Sequence, residues 1–424
     1  MRKRVVITGL GITAPNGVGI PAFTHSIKNG VSGIRHDAQL EELQFSCQIA
    51  GQPDISDELK SEYFTELELR GFNSTGILYG VIAGIEAWKN AGLSIENNED
   101  PDWDSGTIFG SGTSGIDKFR ESIYKIDELQ VRRLGSTVVA QTMNSGVSAY
   151  LGGKLGLGNQ VTTNSSACAT GTEAILMAYD RIQSGQAKRI LAGSTGDSGP
   201  YIWGGFDALR VCSSKYNDNP EQGSRPMSAS AAGFVPGSGA GALVIEDLES
   251  AIERGATIYA EILGGNVNSG GQRGNGSMTA PNSTAVQQCI TNALINSEIS
   301  ANEIDAINGH LTATTKDSLE IENWTKALGR SRNDFPYINS LKSMTGHCLS
   351  AAGSIESIAA ILQLHEGFIF GNINCDDLHP EITALIDPLK VPQKTIYIQP
   401  NIIAKASFGF GDVNACIIFK KFQK

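Results

Sequence analysis

Cys168 is the first residue in this chain whose surroundings suit covalent chemistry. It lies in a run of small side chains, Ser165-Ser166-Ala167-Cys168-Ala169-Thr170-Gly171, preceded by the β-branched Val161-Thr162-Thr163. Ile175, Ala178, Tyr179 and Ile182 then recur at spacings of three and four, the signature of one apolar helix face. The spacing predicts strand, sharp turn and helix, with Arg189 to Gly193 returning as a strand, so Cys168 falls at a helix N-terminus. Peptide dipoles and free N–H groups there favour a thiolate. A free thiol, with a pKa of ~8.5, is only a few per cent ionised at neutral pH; lowering that value by ~1.5 units requires ~2 kcal/mol. The expectation is that the helix end and a nearby imidazole supply it. The small neighbours leave room for a bulky group on sulfur. A lone cysteine is ordinarily a buried structural thiol, so the reading depends on partners elsewhere in the chain.

Candidate partners stand just beyond the carboxyl ends of other predicted strands: His310 after Ile304 to Asn308, Lys342 after Tyr337 to Ser340, and Phe408 after Ile402 to Ala406. Open α/β sheets place their chemistry there. One thiol with two imidazoles, His310 and His347, is a kit for acyl transfer: the thiolate takes the acyl group, and the imidazoles donate hydrogen bonds or move protons. No metal is required.

The elements that must position these residues alternate strand and helix in both halves of the chain, which predicts α/β architecture with largely parallel sheets. Thr75 to Ala91 reads as a strong helix, residues 115 to 135 as a mixed-charge helical segment, and Thr137 to Leu155 as helical. Thr314 with Asp317 resembles a capping box ahead of a helix over Leu319 to Leu328. Gly9-Leu10-Gly11-Ile12-Thr13-Ala14 matches a loose dinucleotide pattern, but the loop Pro15-Asn16-Gly17 follows in place of a helix. The glycine-rich stretch Gly233 to Gly241 lacks the Gly-Lys-Ser/Thr ending of a phosphate loop.

The 424 residues carry a net charge of −11, which argues against nucleic acid and anionic membranes as partners. The seven cysteines are scattered with no paired spacing, so neither a disulfide framework nor a zinc knuckle is expected, and a reducing cytoplasm fits. Met1-Arg2-Lys3-Arg4 and the apolar residues after it mimic a signal peptide, but Gly9 and Gly11 interrupt the run, which reads as a first strand. No run approaches the ~18 apolar residues of a membrane helix. Length suggests two halves, residues 1–255 with the cysteine and 256–424 with both histidines.

Taken together, four segments resemble the β-ketoacyl-acyl carrier protein synthases of the thiolase superfamily, closest to the elongating class with a Cys-His-His triad: Ser166 to Gly171, Asn308 to Thr314, Lys342-Ser343-Met344-Thr345-Gly346-His347, and Ser407-Phe408-Gly409-Phe410-Gly411. The likeness runs from Val5-Val6-Ile7-Thr8-Gly9 to Asn414-Ala415. It implies a duplicated five-layered α/β/α/β/α sandwich, a homodimer, and decarboxylative condensation of an acyl primer on Cys168 with malonyl-acyl carrier protein. It implies no cofactor beyond the phosphopantetheine on which substrates arrive. By the same resemblance His310 and His347 stabilise the enolate, and Lys342 supports the site with Glu356. The backbone N–H groups of Cys168 and Phe408 form the oxyanion hole, with Phe408 also gating access. Thr312, Thr314 and Thr279 match pantetheine-binding positions, Thr113 and Phe206 match the acyl pocket, and Arg210, helped by Lys215, matches a carrier contact.

The chain departs from the family pattern at Leu311 (usually Gly), Ala313 (usually Ser), Asp412-Val413 (usually Gly-Thr), Met227 to Ala232 after Arg225-Pro226, and the acidic Glu66 to Leu69 before Arg70. These departures point to a specialised synthase. A catalytically silent chain-length subunit is the alternative, though such subunits lack the nucleophile. A thiolase needs a second catalytic cysteine in a Gly-rich loop, and Cys416 follows Asn414 in a predicted strand. A serine hydrolase lacks its G-x-S-x-G.

Overall fold

In the computed structural model, residues 3–95 and 99–423 are described. Met1, Arg2 and Lys424, at the ends of the two expected halves, lie outside that set. Ten strands form the main path of one sheet: β1 Val5–Ala14, β2 Ser105–Ser111, β3 Val161–Thr162, β4 Arg189–Gly196, β5 Gly239–Asp247, β6 Ala260–Ser269, β7 Ala306–Asn308, β8 Tyr337–Asn339, β9 Ile402–Gly409 and β10 Val413–Lys420. Eight helices matter for the site: α1 Thr75–Asn90, α2 Ile116–Asp127, α3 Gly146–Leu155, α4 Thr170–Gln183, α5 Pro200–Ala208, α6 Ser283–Asn296, α7 Asp317–Leu328 and α8 Ala352–Glu366.

The strand order is β8-β7-β9-β10-β6-β1-β5-β4-β2-β3, with the short strand Gly17–Val18 paired to the end of β1. Split between β6 and β1, the path falls into two sets of five. Each, numbered by its own position in sequence, runs third, second, fourth, fifth, first. The two halves therefore share one topology, as a duplication requires. Among the described residues their strands pair only through Val5 to Ile7 against Ala260 to Ile262. In each half the second strand pairs in parallel with the third and fourth, and the fifth pairs antiparallel with the fourth and the first. The sheet is thus mixed rather than largely parallel, because the last strand of each half returns beside the first.

Helices fill three layers around the two half-sheets. α1 and α3 cover the outer face of the first half, α6 and α7 the outer face of the second, and α4 and α8 lie against each other between them. The largest apolar cluster belongs to this central layer, with Ile175, Ala178, Ile182, Ile355, Ile358 and Leu362 facing strands of both halves.

The two glycine patterns now have a structural cause. A Cβ on Gly9 or Gly11 would overlap the backbone carbonyl of Ala87 or Ala83, so these glycines let α1 lie directly on β1. A Cβ on Gly241 would stand 2.8 Å from the Ile355 nitrogen, so this glycine admits α8 onto β5.

Candidate active site

Cys168 sits in a 3₁₀ turn, Ala167–Ala169, immediately ahead of α4. The duplicated position ahead of α8 is a second 3₁₀ turn, Leu349–Ala351. Each opens on a non-glycine residue in the left-handed region, Ala167 at φ 49 and Leu349 at φ 50. The sharp reversal aims each turn into the central layer. Thr170 Oγ1 closes the first by donating to the Ala167 carbonyl at 2.7 Å and accepting the Ser166 N–H at 2.9 Å.

His347, just before the second turn, places Nε2 3.1 Å from Cys168 Sγ. Its Nδ1 accepts the Leu349 N–H at 3.2 Å, so the ring proton resides on Nε2 and points at sulfur. His310 comes from the end of β7, its ring centroid 5.5 Å from that of His347. The ligating atoms of Cys168, His310 and His347 all lie within 4.8 Å of one another. Burial is the largest cause holding both imidazoles well below the usual histidine range, followed by the Lys342 ammonium, so both are neutral donors.

The thiol behaves differently from the sequence expectation. Burial pushes Cys168 up from the ordinary thiol range, against the lowering pull of Lys342 and of the Phe410 and Cys168 amides. Desolvation outweighs these pulls because Cys168 is buried where α4 starts, deep in the interior of the fold. The resting pair is therefore a thiol beside a neutral imidazole.

Lys342 is buried and ion-paired with Glu356, as the sequence reading expects. A second buried lysine, Lys405, shares that carboxylate, 2.7 Å from Glu356 Oε2, and also donates to Ser407 Oγ at 2.9 Å. Thr172 Oγ1 stands 2.9 Å from the same Ser407 hydroxyl. Sequence reasoning missed Lys405; its signal is a charge set inside the apolar strand Ile402-Ile403-Ala404-Lys405-Ala406.

Two acidic groups support the histidine loop. Glu320 accepts the His310 and Leu311 N–H groups, each at 2.7 Å. Asp317 accepts those of Met227 at 2.8 Å, Thr312 at 2.9 Å and Ala313 at 3.1 Å. Burial raises Glu320 to about 7 and Asp317 to about 6. The expected capping box is half formed: Asp317, which starts α7, reaches back to accept the Thr314 N–H at 3.5 Å, whereas Thr314 Oγ1 accepts the Lys316 N–H at 3.3 Å in place of that of Asp317.

One cavity of about 280 Å³ holds these groups; Cys168, His310 and His347 line it with Phe206, Phe234, Thr279, Thr312, Thr314 and Phe408. The pantetheine candidates and Phe206 are thus together on its wall. Thr312 and Thr314 place their hydroxyls 3.1 Å apart. Thr113 is not on that wall: it lies half-buried beyond β2, its carbonyl accepting the Ser111 hydroxyl at 2.7 Å. Arg210 is exposed, next to the wall residue Val211.

The backbone amide beside Cys168 differs from the one expected. The amide that addresses Cys168 Sγ is that of Phe410, not Phe408. Phe408 lies within the β9–β10 ladder opposite Asn414, whereas Phe410 is in the turn beyond it. Gly409 makes the approach feasible, since a Cβ there would stand 3.0 Å from the Cys168 nitrogen. Phe408 keeps a place on the cavity wall, its ring 6.1 Å from His310, while the Phe410 ring packs 5.9 Å from Phe206.

Comparison with known proteins adds independent findings. Residues 2–251 match the family described as "Beta-ketoacyl synthase, N-terminal domain" and residues 259–376 its C-terminal domain. The chain is 32% identical over 439 residues to "3-oxoacyl-[acyl-carrier-protein] synthase I, chloroplastic" of Arabidopsis thaliana, covering 100% of this chain and 87% of that protein. A β-ketoacyl synthase from Burkholderia phymatum superposes with a TM-score of 0.89 at 28% identity, over 99% of this chain and 100% of that one. The type II PKS ketosynthase AntDE, solved with its acyl-carrier protein AntF and bound to the hexaketide, superposes at 0.87 with 27% identity over the full length of both chains.

Proposed function

The chain belongs to the β-ketoacyl synthase family, and we infer that it condenses an acyl primer, held as a thioester on Cys168, with malonyl-acyl carrier protein to give a 3-oxoacyl-acyl carrier protein. The observation that carries this reading is the convergence of one sulfur and two neutral imidazoles within 4.8 Å at the floor of a shared cavity.

Cys168 attacks the primer thioester. The carbonyl oxygen becomes an oxyanion held by the amides of Phe410 and Cys168, the carrier's thiolate leaves, and the cysteine's proton goes to it. Malonyl thioester then enters past Thr279, Thr312 and Thr314. Loss of carbon dioxide leaves its electron pair as an enolate whose oxygen takes hydrogen bonds from His310 and His347. Neutral donors suit this step because they stabilise the enolate without protonating it. The enolate carbon forms the new carbon–carbon bond to the acyl group, and the electrons of the broken thioester return to Cys168, which takes a proton from water to restore the thiol. Phe206, Phe234 and Phe408 exclude the water that would compete at the thioester. The phosphopantetheine arm is the carrier of both substrates, and no resident cofactor enters.

The working assembly is a dimer. α2 presents Phe119, Ile123 and Tyr124, 46%, 53% and 54% exposed, along one face, and the edge strand β3 has a partner on one side only. The Thr113 segment leads into that face, so a second chain there would help complete the acyl pocket. A heterodimer with a silent chain-length subunit has the same requirement, and Cys168 makes this chain its catalytic member. Arg210, with Lys215, serves as the contact for the acidic carrier. The seven free, buried cysteines support a reducing cytoplasm; among the described residues no helix is long and apolar enough to cross a membrane.

Incubation with candidate acyl-carrier proteins, followed by the intact mass of the chain, tests the reading. One acyl group on the wild type and none on Cys168→Ala, with condensation abolished, is the expected result. Retained condensation in that variant would refute the assignment.

A further inference from the structure

The turn that brings the Phe410 amide to Cys168 continues into Asp412, a position where the family pattern has glycine. Asp412 is 1% exposed and holds a left-handed backbone, φ 62, which aspartate adopts less readily than glycine. Its side chain has an evident occupation. Oδ1 accepts the Asn282 N–H at 2.8 Å and Oδ2 the Gln272 N–H at 3.0 Å. Its carbonyl accepts the Gly270 N–H at 3.0 Å, and the adjoining Gly411 N–H donates to the Met278 carbonyl at 2.8 Å. Gly270 and Gly276 are the complement of this carboxylate, since a Cβ on either would overlap Oδ2.

The bonds join two segments with different duties. On one side is the turn carrying the oxyanion amide. On the other is the entrance loop, residues 270–282, whose Thr279 and Pro281 line the cavity. The loop is itself anchored: Asn282 Oδ1 caps α6 by accepting the Thr284 N–H at 3.0 Å and the Ala285 N–H at 3.3 Å. The carboxylate therefore ties the turn to the start of a helix packed on β6 and β10. With glycine at this position, no side chain would meet the two N–H groups and the turn would be freer to leave Cys168.

We propose that Asp412 is a positioning residue that locks the Phe410 turn to the entrance loop 270–282, so that the seating of the substrate's arm at the entrance and the placement of the oxyanion amide at Cys168 are set together. The inference rests on the condensing-enzyme reading. It separates two half-reactions: acylation of Cys168 needs the Phe410 amide, whereas malonyl decarboxylation draws on His310 and His347, which the lock does not touch.

The test compares wild type, Asp412→Gly and Asp412→Asn, with an acyl-carrier thioester as acyl donor and malonyl-acyl carrier protein as extender. Asp412→Gly is expected to slow single-turnover acylation of Cys168 by roughly ten- to a hundredfold, the range for a displaced oxyanion donor. Its kcat for decarboxylation without primer stays within about twofold of wild type while KM rises. Asp412→Asn keeps the size, the tolerance of positive φ and one acceptor, so it falls between. Should Asp412→Gly lose its fold, Asp412→Asn carries the comparison. Equal loss in both half-reactions, as a merely structural role would produce, overturns the proposal, and so does unchanged acylation. A wild-type chain that takes up no acyl group overturns the condensing-enzyme reading and this inference with it.

Discussion

Glu320 is the residue whose titration reaches the chemistry without touching substrate carbon. Its carboxylate uses both oxygens to hold the His310 and Leu311 N–H groups, and burial raises it from 4.5 to about 7. In the fold it binds its proton more tightly than in the unfolded chain. Stability therefore falls as pH rises between these two values, and the cost of burying the charge is fully present only above about 7. Activity runs the other way: protonation turns one oxygen into a donor and slackens the histidine loop. Burial holds both imidazoles well below the usual histidine range, and Asp317, raised to about 6, repels the Glu320 charge, so the two titrate together. We expect malonyl decarboxylation to decline as pH drops through about 7 while the thermal midpoint climbs. Glu320→Gln should flatten both slopes at a lower activity plateau. An unchanged acid limb in that variant would assign it elsewhere. The meeting of Cys168 with both histidines, and the burial of Lys342 beside them, were legible in the sequence because each stands in a distinctive short motif. Lys405 left only the faint signal of a charge within an apolar strand, and Glu320 left none, since the loop N–H groups it holds meet it only in the fold. The amide that reaches Cys168 Sγ stands two residues beyond Phe408, because repeated Phe-Gly pairs do not reveal where a ladder ends and its turn begins.

At the scale of elements, the site depends on helices brought unusually close to strands. The alternation of strand and helix was readable from apolar spacing, and α1 lies almost where that spacing put it. The strand directions were not readable, because parallel and antiparallel neighbours share the same buried pattern. The glycines of β1 illustrate what local patterns conceal: Gly9 and Gly11 resemble a nucleotide-binding turn, yet they are contact points for α1. Gly11→Ala forces a methyl group into the backbone of Ala83, so α1 must retreat from β1. Overpacking of this kind costs roughly 1–3 kcal/mol, and the denaturant midpoint should fall accordingly. Because α1 is on the outer face, the surviving folded fraction should keep its Cys168 reactivity. Loss of that reactivity without loss of stability would mean that the Gly-rich turn has a direct role at the site.

The whole molecule is two copies of one five-strand plan, and its chemistry arises where the copies meet. The first half contributes Cys168 ahead of α4 and the second contributes His347 ahead of α8, from equivalent turns whose opening residues share the same left-handed backbone. Neither half alone holds a nucleophile and its donors. The same logic extends outward to the face of α2, where the expected pocket residue Thr113 stands away from the cavity and Phe119, Ile123 and Tyr124 face solvent. If a second chain covers this face, charges placed there should separate the copies without disturbing Cys168, His310 and His347, which line a cavity that Phe119 and Ile123 do not reach. We expect Phe119→Lys with Ile123→Lys to convert a dimer into a monomer in sedimentation at micromolar concentration. The monomer should still be alkylated at Cys168 faster than at Cys212 or Cys289, whose thiols burial pushes up, that of Cys289 to about 12, and which are absent from the cavity wall. Its distribution of acyl lengths should shift, because the pocket would lack the wall that a partner supplies. A wild-type chain that sediments as a monomer, or a double variant with an unaltered product distribution, would place the end of the acyl pocket within a single chain.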